Sequence, residues 1–151
     1  MLVYRICRRA FHALDGEGAR LYGGRWNTPG TPLVYTSSAL SLAALEYLLH
    51  VDPEEVPSDL VALTIEIPDD APLARVTPRQ LPADWVRVID HPACQATGDA
   101  WARRGAELAL RVPSAPIVEE ENVLVNPRHP DAARVRVVAT RRFAFDPRLL
   151  R

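Results

Sequence analysis

A glycine pair runs into an arginine, a tryptophan and an asparagine at Gly23-Gly24-Arg25-Trp26-Asn27. A short turn later comes Val34-Tyr35-Thr36-Ser37, and then Glu46 inside an apolar stretch. Arginine carries a rigid fork of N–H donors that matches phosphate, and aromatic rings offer flat faces for stacking. A carboxylate opposes positive charge that develops at a sugar carbon. A nucleotide sugar is a ligand that uses all three. Ser114, after Pro113, and Asn122, before Val123-Leu124-Val125, are further polar residues at the edges of apolar runs.

Each of these residues also has a plainer reading. Glu46 is a good helix former and suits a half-exposed helix surface. Arg25 can be a loop arginine in one ion pair of little energetic value. Trp26 can anchor its loop to the core, Tyr35 can be a core residue with its hydroxyl at the rim, and Ser114 can be a turn residue. Spacing alone leaves both sets of readings open.

Several chemistries find no pattern here. No G-x-S-x-G elbow and no histidine tied to Ser114 support a serine hydrolase. Cys7 and Cys94 stand far apart in no redox or metal spacing. His12, His50, His91 and His129 form no H-E-x-x-H, so no metal is expected. The 151 residues carry 18 basic and 19 acidic side chains, a net charge of −1, which gives no general drive toward nucleic acid or a membrane surface. No apolar stretch approaches the roughly 20 residues of a membrane span, and the first residues lack the order of a signal peptide. A cytoplasmic location is therefore expected.

The elements that must position these residues are short. Fourteen prolines and a 48% hydrophobic composition argue for one sheet-containing domain over 1–151 rather than a helical bundle. Strands are predicted over 1–6, 33–36 and 60–67, the last with Val61, Leu63, Ile65 and Ile67 on one face. Residues 11–27, with Gly16, Gly18, Gly23 and Gly24, read as a long structured loop. Thr36-Ser37-Ser38 offers N-cap hydroxyls for a helix over 39–51, whose apolar face is Leu42, Leu45, Leu48 and Leu49. Residues 72–92 read as short strands and turns, 95–110 as a second helix despite Gly98 and Gly105, and 113–118 as a strand. A polar connection over 119–122, a strand over 123–125, a turn at 126–130 and a last strand over 135–139 complete the chain.

Taken in order, these motifs resemble the RES domain, the toxin half of type II toxin–antitoxin pairs of the RES/Xre type. The family is named for arginine, glutamate and serine, matched here by Arg25, Glu46 in Leu42-Ala43-Ala44-Leu45-Glu46, and Ser114. Tyr4-Arg5, Tyr35-Thr36-Ser37 and the run from Asn122 to Pro130 extend the match over nearly the whole chain.

The resemblance implies an α+β fold like that of ADP-ribosyltransferases, with small mixed or antiparallel sheets and flanking helices around a cleft. It implies NAD⁺ as substrate, with the nicotinamide–ribose bond broken by hydrolysis or phosphorolysis and growth arrest as the result. Transfer of ADP-ribose to a protein is the alternative, and a non-catalytic NAD-binding or interaction module is the alternative of another class. It also implies a cognate antitoxin with a helix-turn-helix (Xre-like) region that blocks the cleft in a hetero-oligomer. On this reading Glu46 and Arg25 are catalytic, and Arg5, Arg25, Trp26, Tyr35, Ser114 and Asn122 bind NAD⁺. Arg5 and Arg25 would hold the pyrophosphate, Tyr35 and Trp26 would stack on or wall the nicotinamide, and Ser114 would bond its amide or ribose.

Overall fold

The computed structural model describes all residues, Met1–Arg151. Ten regular elements follow one another: β1 (Leu2–Arg8), α1 (Glu17–Tyr22), β2 (Val34–Ser37), α2 (Leu40–Leu48), β3 (Leu60–Glu66), β4 (Leu73–Arg75), α3 (Pro92–Arg104), β5 (Ala109–Pro113), β6 (Glu121–Val125) and β7 (Arg136–Arg142). Single 3₁₀ turns join several of them. The strands form one mixed sheet in the order β4-β5-β6-β2-β1-β3-β7, antiparallel except for the β4–β5 pair. None of the helices is long and apolar enough to cross a membrane.

The small sheets expected from the resemblance are joined here into a single one. β1 pairs with β3 over its full length, and β2 with β6 likewise, but β1 and β2 meet only at Tyr4 and Ser37. The two halves of the sheet therefore diverge from one point and leave a cleft between them.

β3 is buried on both faces, because its alternating side chains feed two separate cores. Val61, Leu63 and Ile65, followed by Ile67, join Val3, Val34 and Val123 on one face. Leu60 and Ala62 join Ile6, Ala43 of α2 and Phe145 on the other. A third cluster lies under α3 and contains Trp26, Trp85 and Trp101 with Leu110, Val112 and Leu124. Burying one such large side chain contributes about 2–3 kcal/mol.

Five local expectations are corrected. Residues 11–27 are not all loop, since α1 forms between two left-handed glycines, Gly16 (φ 70°) and Gly23 (φ 71°). The hydroxyls before α2 do not cap it: its N-cap is Ala39, while Thr36 Oγ1 donates to the Val123 carbonyl and Ser37 Oγ to Asn122 Oδ1. The second helix starts at Pro92 behind a His91 cap and ends at Arg104, where Gly105 adopts φ 61°. That left-handed glycine closes the helix, so Leu108 is buried ahead of β5 and Leu110 lies within it. The strand placed over 113–118 is shifted upstream to β5, and Ser114 is the first residue past its end. Glu121 and Asn122, placed in a polar connection, open β6.

Candidate active site

A cleft of about 830 Å³ opens where β1 and β2 part, within the size range of small-molecule and cofactor sites. Tyr4 and Arg5 of β1, Tyr35 and Ser37 of β2, Glu46 and Tyr47 of α2, Arg25, and Asn122 all line it.

Glu46 sits on α2 one turn after Leu42 and Ala43, which are buried against the sheet. That spacing carries its side chain to the margin of the apolar face and over the cleft. Ser114 Oγ donates to Glu46 Oε1 at 3.1 Å, and Asn122 Nδ2 donates to the same oxygen at 2.5 Å. Asn122 is itself oriented by Ser37 Oγ, which donates to its Oδ1 at 2.7 Å. Register explains why these residues meet. Ser37 faces Asn122 across β2–β6, Asn122 faces Val112 across β6–β5, and Ser114 follows two residues on, so alternation puts all three on one side. The Oε2 atom of Glu46 has no protein partner. An ionised carboxylate accepts and never donates, and both neighbours here are donors.

Ser114 is 0% exposed. Its hydroxyl is bonded to Glu46, which lets it position the carboxylate from behind. Asn122, half-buried at the cleft wall, does the same with its Nδ2.

The loop 23–27 is fixed from three directions. Asn27, fully buried, donates through Nδ2 to the carbonyls of Ala19, Thr28 and Thr31. Tyr35 donates from its hydroxyl to Asn27 Oδ1 at 2.7 Å and accepts from the Trp26 N–H at 3.0 Å. From α3, Gln95 Nε2 donates to the Gly24 carbonyl at 3.2 Å. Burial pushes the Tyr35 phenol far above its ordinary value, so it remains a neutral donor. Its ring walls the cleft while its hydroxyl serves the loop.

Trp26 borders the cleft but is only 2% exposed and packs near Trp85, with ring centroids 6.4 Å apart, which supports its role as the loop's anchor.

Arg25 reaches into the cleft wall. Its Nη1 donates to the carbonyls of Trp85 and Val88 at 2.7 and 2.9 Å, and its guanidinium lies over the Trp85 ring, 5.9 Å from the centroid. Nε and Nη2 have no protein acceptor and are free for an anion. Arg5 lines the cleft from β1, and its Nη1 donates to the Ala13 carbonyl at 3.0 Å. Two cations and one carboxylate thus line the same cleft.

Of the residues picked from sequence, Arg5, Arg25, Tyr35, Glu46 and Asn122 share this cleft, Trp26 borders it from the core, and Ser114 stands behind Glu46. Sequence reasoning missed Ser37 and Asn27 as organisers of the site. An asparagine closing a glycine-rich run was the available signal for Asn27, since its side chain readily bonds nearby backbone.

The RES domain family model matches residues 2–146. The chain is 36% identical over 140 residues to the "Prs ADP-ribosylating toxin" of Sphingobium sp., covering 91% of this chain and 87% of that protein. It is 35% identical over 154 residues to "Toxin Res" of Photorhabdus laumondii subsp. laumondii, covering 100% of this chain and 98% of that one. Among solved structures, the M. tuberculosis MbcT–MbcA toxin–antitoxin complex contains a chain with the same fold. The TM-score is 0.78 at 24% identity, over 99% of this chain and 86% of that chain. With a family match over almost its full length, and relatives of similar length at more than a third identity, this chain belongs to the RES domain family.

Proposed function

We propose that this RES domain is the toxin of a toxin–antitoxin pair and cleaves the nicotinamide–ribose bond of NAD⁺. The observation that carries the reading is Glu46, held by two donors on Oε1 with Oε2 free, in a cleft that Arg25 and Arg5 also line. As the bond to nicotinamide breaks, positive charge builds on the ribose carbon, as in glycoside cleavage. A carboxylate fixed beforehand stabilises that charge without reorganising. Arg25 and Arg5 hold the pyrophosphate through charge-assisted bonds, and Tyr35 walls the nicotinamide. The leaving group is already cationic and departs neutral, so the step calls for no metal. NAD⁺ is the substrate, and the reaction takes place in the cytoplasm, where growth arrest follows its loss.

The test is nicotinamide release from NAD⁺ by the purified protein, with and without phosphate, beside Glu46→Gln. The parent releases nicotinamide and the variant loses about 100-fold or more, the scale of a lost charge-stabilising contact. Absence of release by the parent refutes the reading, and full activity of Glu46→Gln removes Glu46 from it. NAD⁺ binding without turnover would leave only a binding module.

Transfer to a protein is a second reading, favoured by an apolar rim and by the name of the Sphingobium relative. Leu49 is 60% and Ile89 64% exposed beside the cleft, a surface suited to an acceptor protein. Labelled NAD⁺ in a lysate decides it by whether a protein band takes up label. The same rim and opening suit an antitoxin that covers the cleft, as a hetero-oligomer in which a helix-turn-helix region of the partner carries any contact with DNA.

A further inference from the structure

The cleft holds one imidazole that the mechanism above does not use. His12 Nδ1–H donates to the Arg9 carbonyl, His91 Nδ1 caps α3 at the Ala93 N–H with Nε2 against Asp84, and His129 Nδ1 accepts from the Asp131 N–H. Three of the four histidines are thus committed to local structure. His50 has no side-chain partner, is exposed, and lines the cleft. It follows Glu46 by one helical turn, beyond the Leu49 cap, whose dihedrals remain helical. The His50 N–H closes the turn on the Tyr47 carbonyl, and both Glu46 and His50 line the cleft.

We propose that His50 is the catalytic base on the acceptor side of the reaction: it takes the proton of the water that attacks the ribose carbon. The inference rests on the NAD⁺ reading above. The C1′–N bond breaks and its electron pair leaves with nicotinamide. The water oxygen bonds C1′, and its proton passes to the His50 imidazole and on to solvent, giving ADP-ribose, nicotinamide and one proton. The remaining ionisable side chains of the cleft do not fit this role. Arg5 and Arg25 are permanent cations, the free Oε2 of Glu46 is assigned to the charge that develops on the ribose, and Tyr4 and Tyr47 are phenols. Asp90 lies on the wall latched by Arg25, away from α2 in the chain. Tyr35 is spent on Asn27 and Trp26.

The experiment compares the full-length parent, His50→Ala, His50→Gln and His12→Gln in nicotinamide release, with and without sodium azide, an anion that attacks without shedding a proton. His50→Ala and His50→Gln are expected to lose on the order of 100-fold in turnover, as a base does, with KM for NAD⁺ within about two-fold of the parent. Azide restores release and yields the ADP-ribosyl azide, while His12→Gln keeps the parental rate. Parental turnover in the His50 variants overturns the proposal and leaves the NAD⁺ reading standing. So does a loss that azide does not restore, or one confined to the phosphate-stimulated rate, which makes His50 an anion-binding residue. A parent that releases no nicotinamide overturns both.

Discussion

Gly98→Ala is the substitution whose effect the geometry specifies most sharply. Gly98 lies in the middle of α3, where glycine costs about 1 kcal/mol relative to alanine. An added Cβ would stand 1.8 Å from the Trp26 carbonyl oxygen, 2.8 Å from its carbon and 3.1 Å from its Cβ. Ordinary contact needs a little over 3 Å, so α3 and the Trp26 backbone must separate by about 1.3 Å. Both partners are backbone and cannot rotate away. Overpacking of this kind costs about 1–3 kcal/mol, and the upper end applies because the propensity gain of alanine offsets only about 1 kcal/mol. Arg25 adjoins Trp26, and its bonds of 2.7 and 2.9 Å to the 85–88 wall would not survive a shift of that size. Misplacement by about 1 Å costs on the order of 100-fold in rate. The assay pairs the urea midpoint with nicotinamide release, using Gly18→Ala as control. Gly18 lies in α1 with nothing within 4 Å of the added carbon, so that change stabilises by about 0.5–1 kcal/mol. A Gly98→Ala protein within 0.5 kcal/mol of the parent and fully active would refute the close approach of α3 to the Trp26 backbone.

Ser114→Ala removes one of two donors to Glu46 Oε1, and turnover is expected to fall about 10- to 100-fold, the worth of a bond to a charged group. KM for NAD⁺ stays within about two-fold, since a buried serine does not touch substrate; a rise in KM at constant turnover would instead place it on the ligand. Tyr35→Phe leaves Asn27 Oδ1 without its donor and the Trp26 N–H without its acceptor. A loss of about 1–3 kcal/mol in urea unfolding is expected, and an unchanged midpoint would contradict the anchoring role. Stability also carries an acid limb from Glu121, whose carboxyl is held below its ordinary value by the hydrogen bond from Arg75, with Arg111 adding to it. A depressed folded-state value stabilises above the unfolded-state value, near pH 4.5, and the contribution disappears as pH falls through the folded one. Glu121→Gln should therefore flatten stability between neutrality and acid by about 1 kcal/mol; a curve parallel to the parent's over that range would show that the pair contributes nothing.

The residues of the site were legible in the sequence because their chemistry is local to short motifs. Gly23-Gly24-Arg25 announces a close backbone approach next to a cation, and Glu46 four residues past Leu42 announces a carboxylate at the edge of an apolar helix face. The alternation of Val61, Leu63, Ile65 and Ile67 likewise needs only the two-residue period of a strand. Element ends were less legible where a glycine or a shared hydroxyl decided them. Gly105 stops α3 by turning left-handed, and Thr36 and Ser37 bond across the sheet instead of capping α2.

The roles divided along a different line. Ser114 and Asn122 lie 68 and 76 residues from Glu46, and only the placing of β6 between β2 and β5 brings them to one carboxylate oxygen. Trp26 was equally suited by its neighbours to a ligand face or a core, and the packing of α3 over it chose the core. His50 carried no motif at all, and its freedom appears only when the other histidines are seen to be bonded. Composition and local pattern thus determined which groups were present and which segments carried them. Tertiary structure decided which groups face solvent and which face each other, because burial and long-range pairing depend on strand order and register, and no local run of residues encodes either.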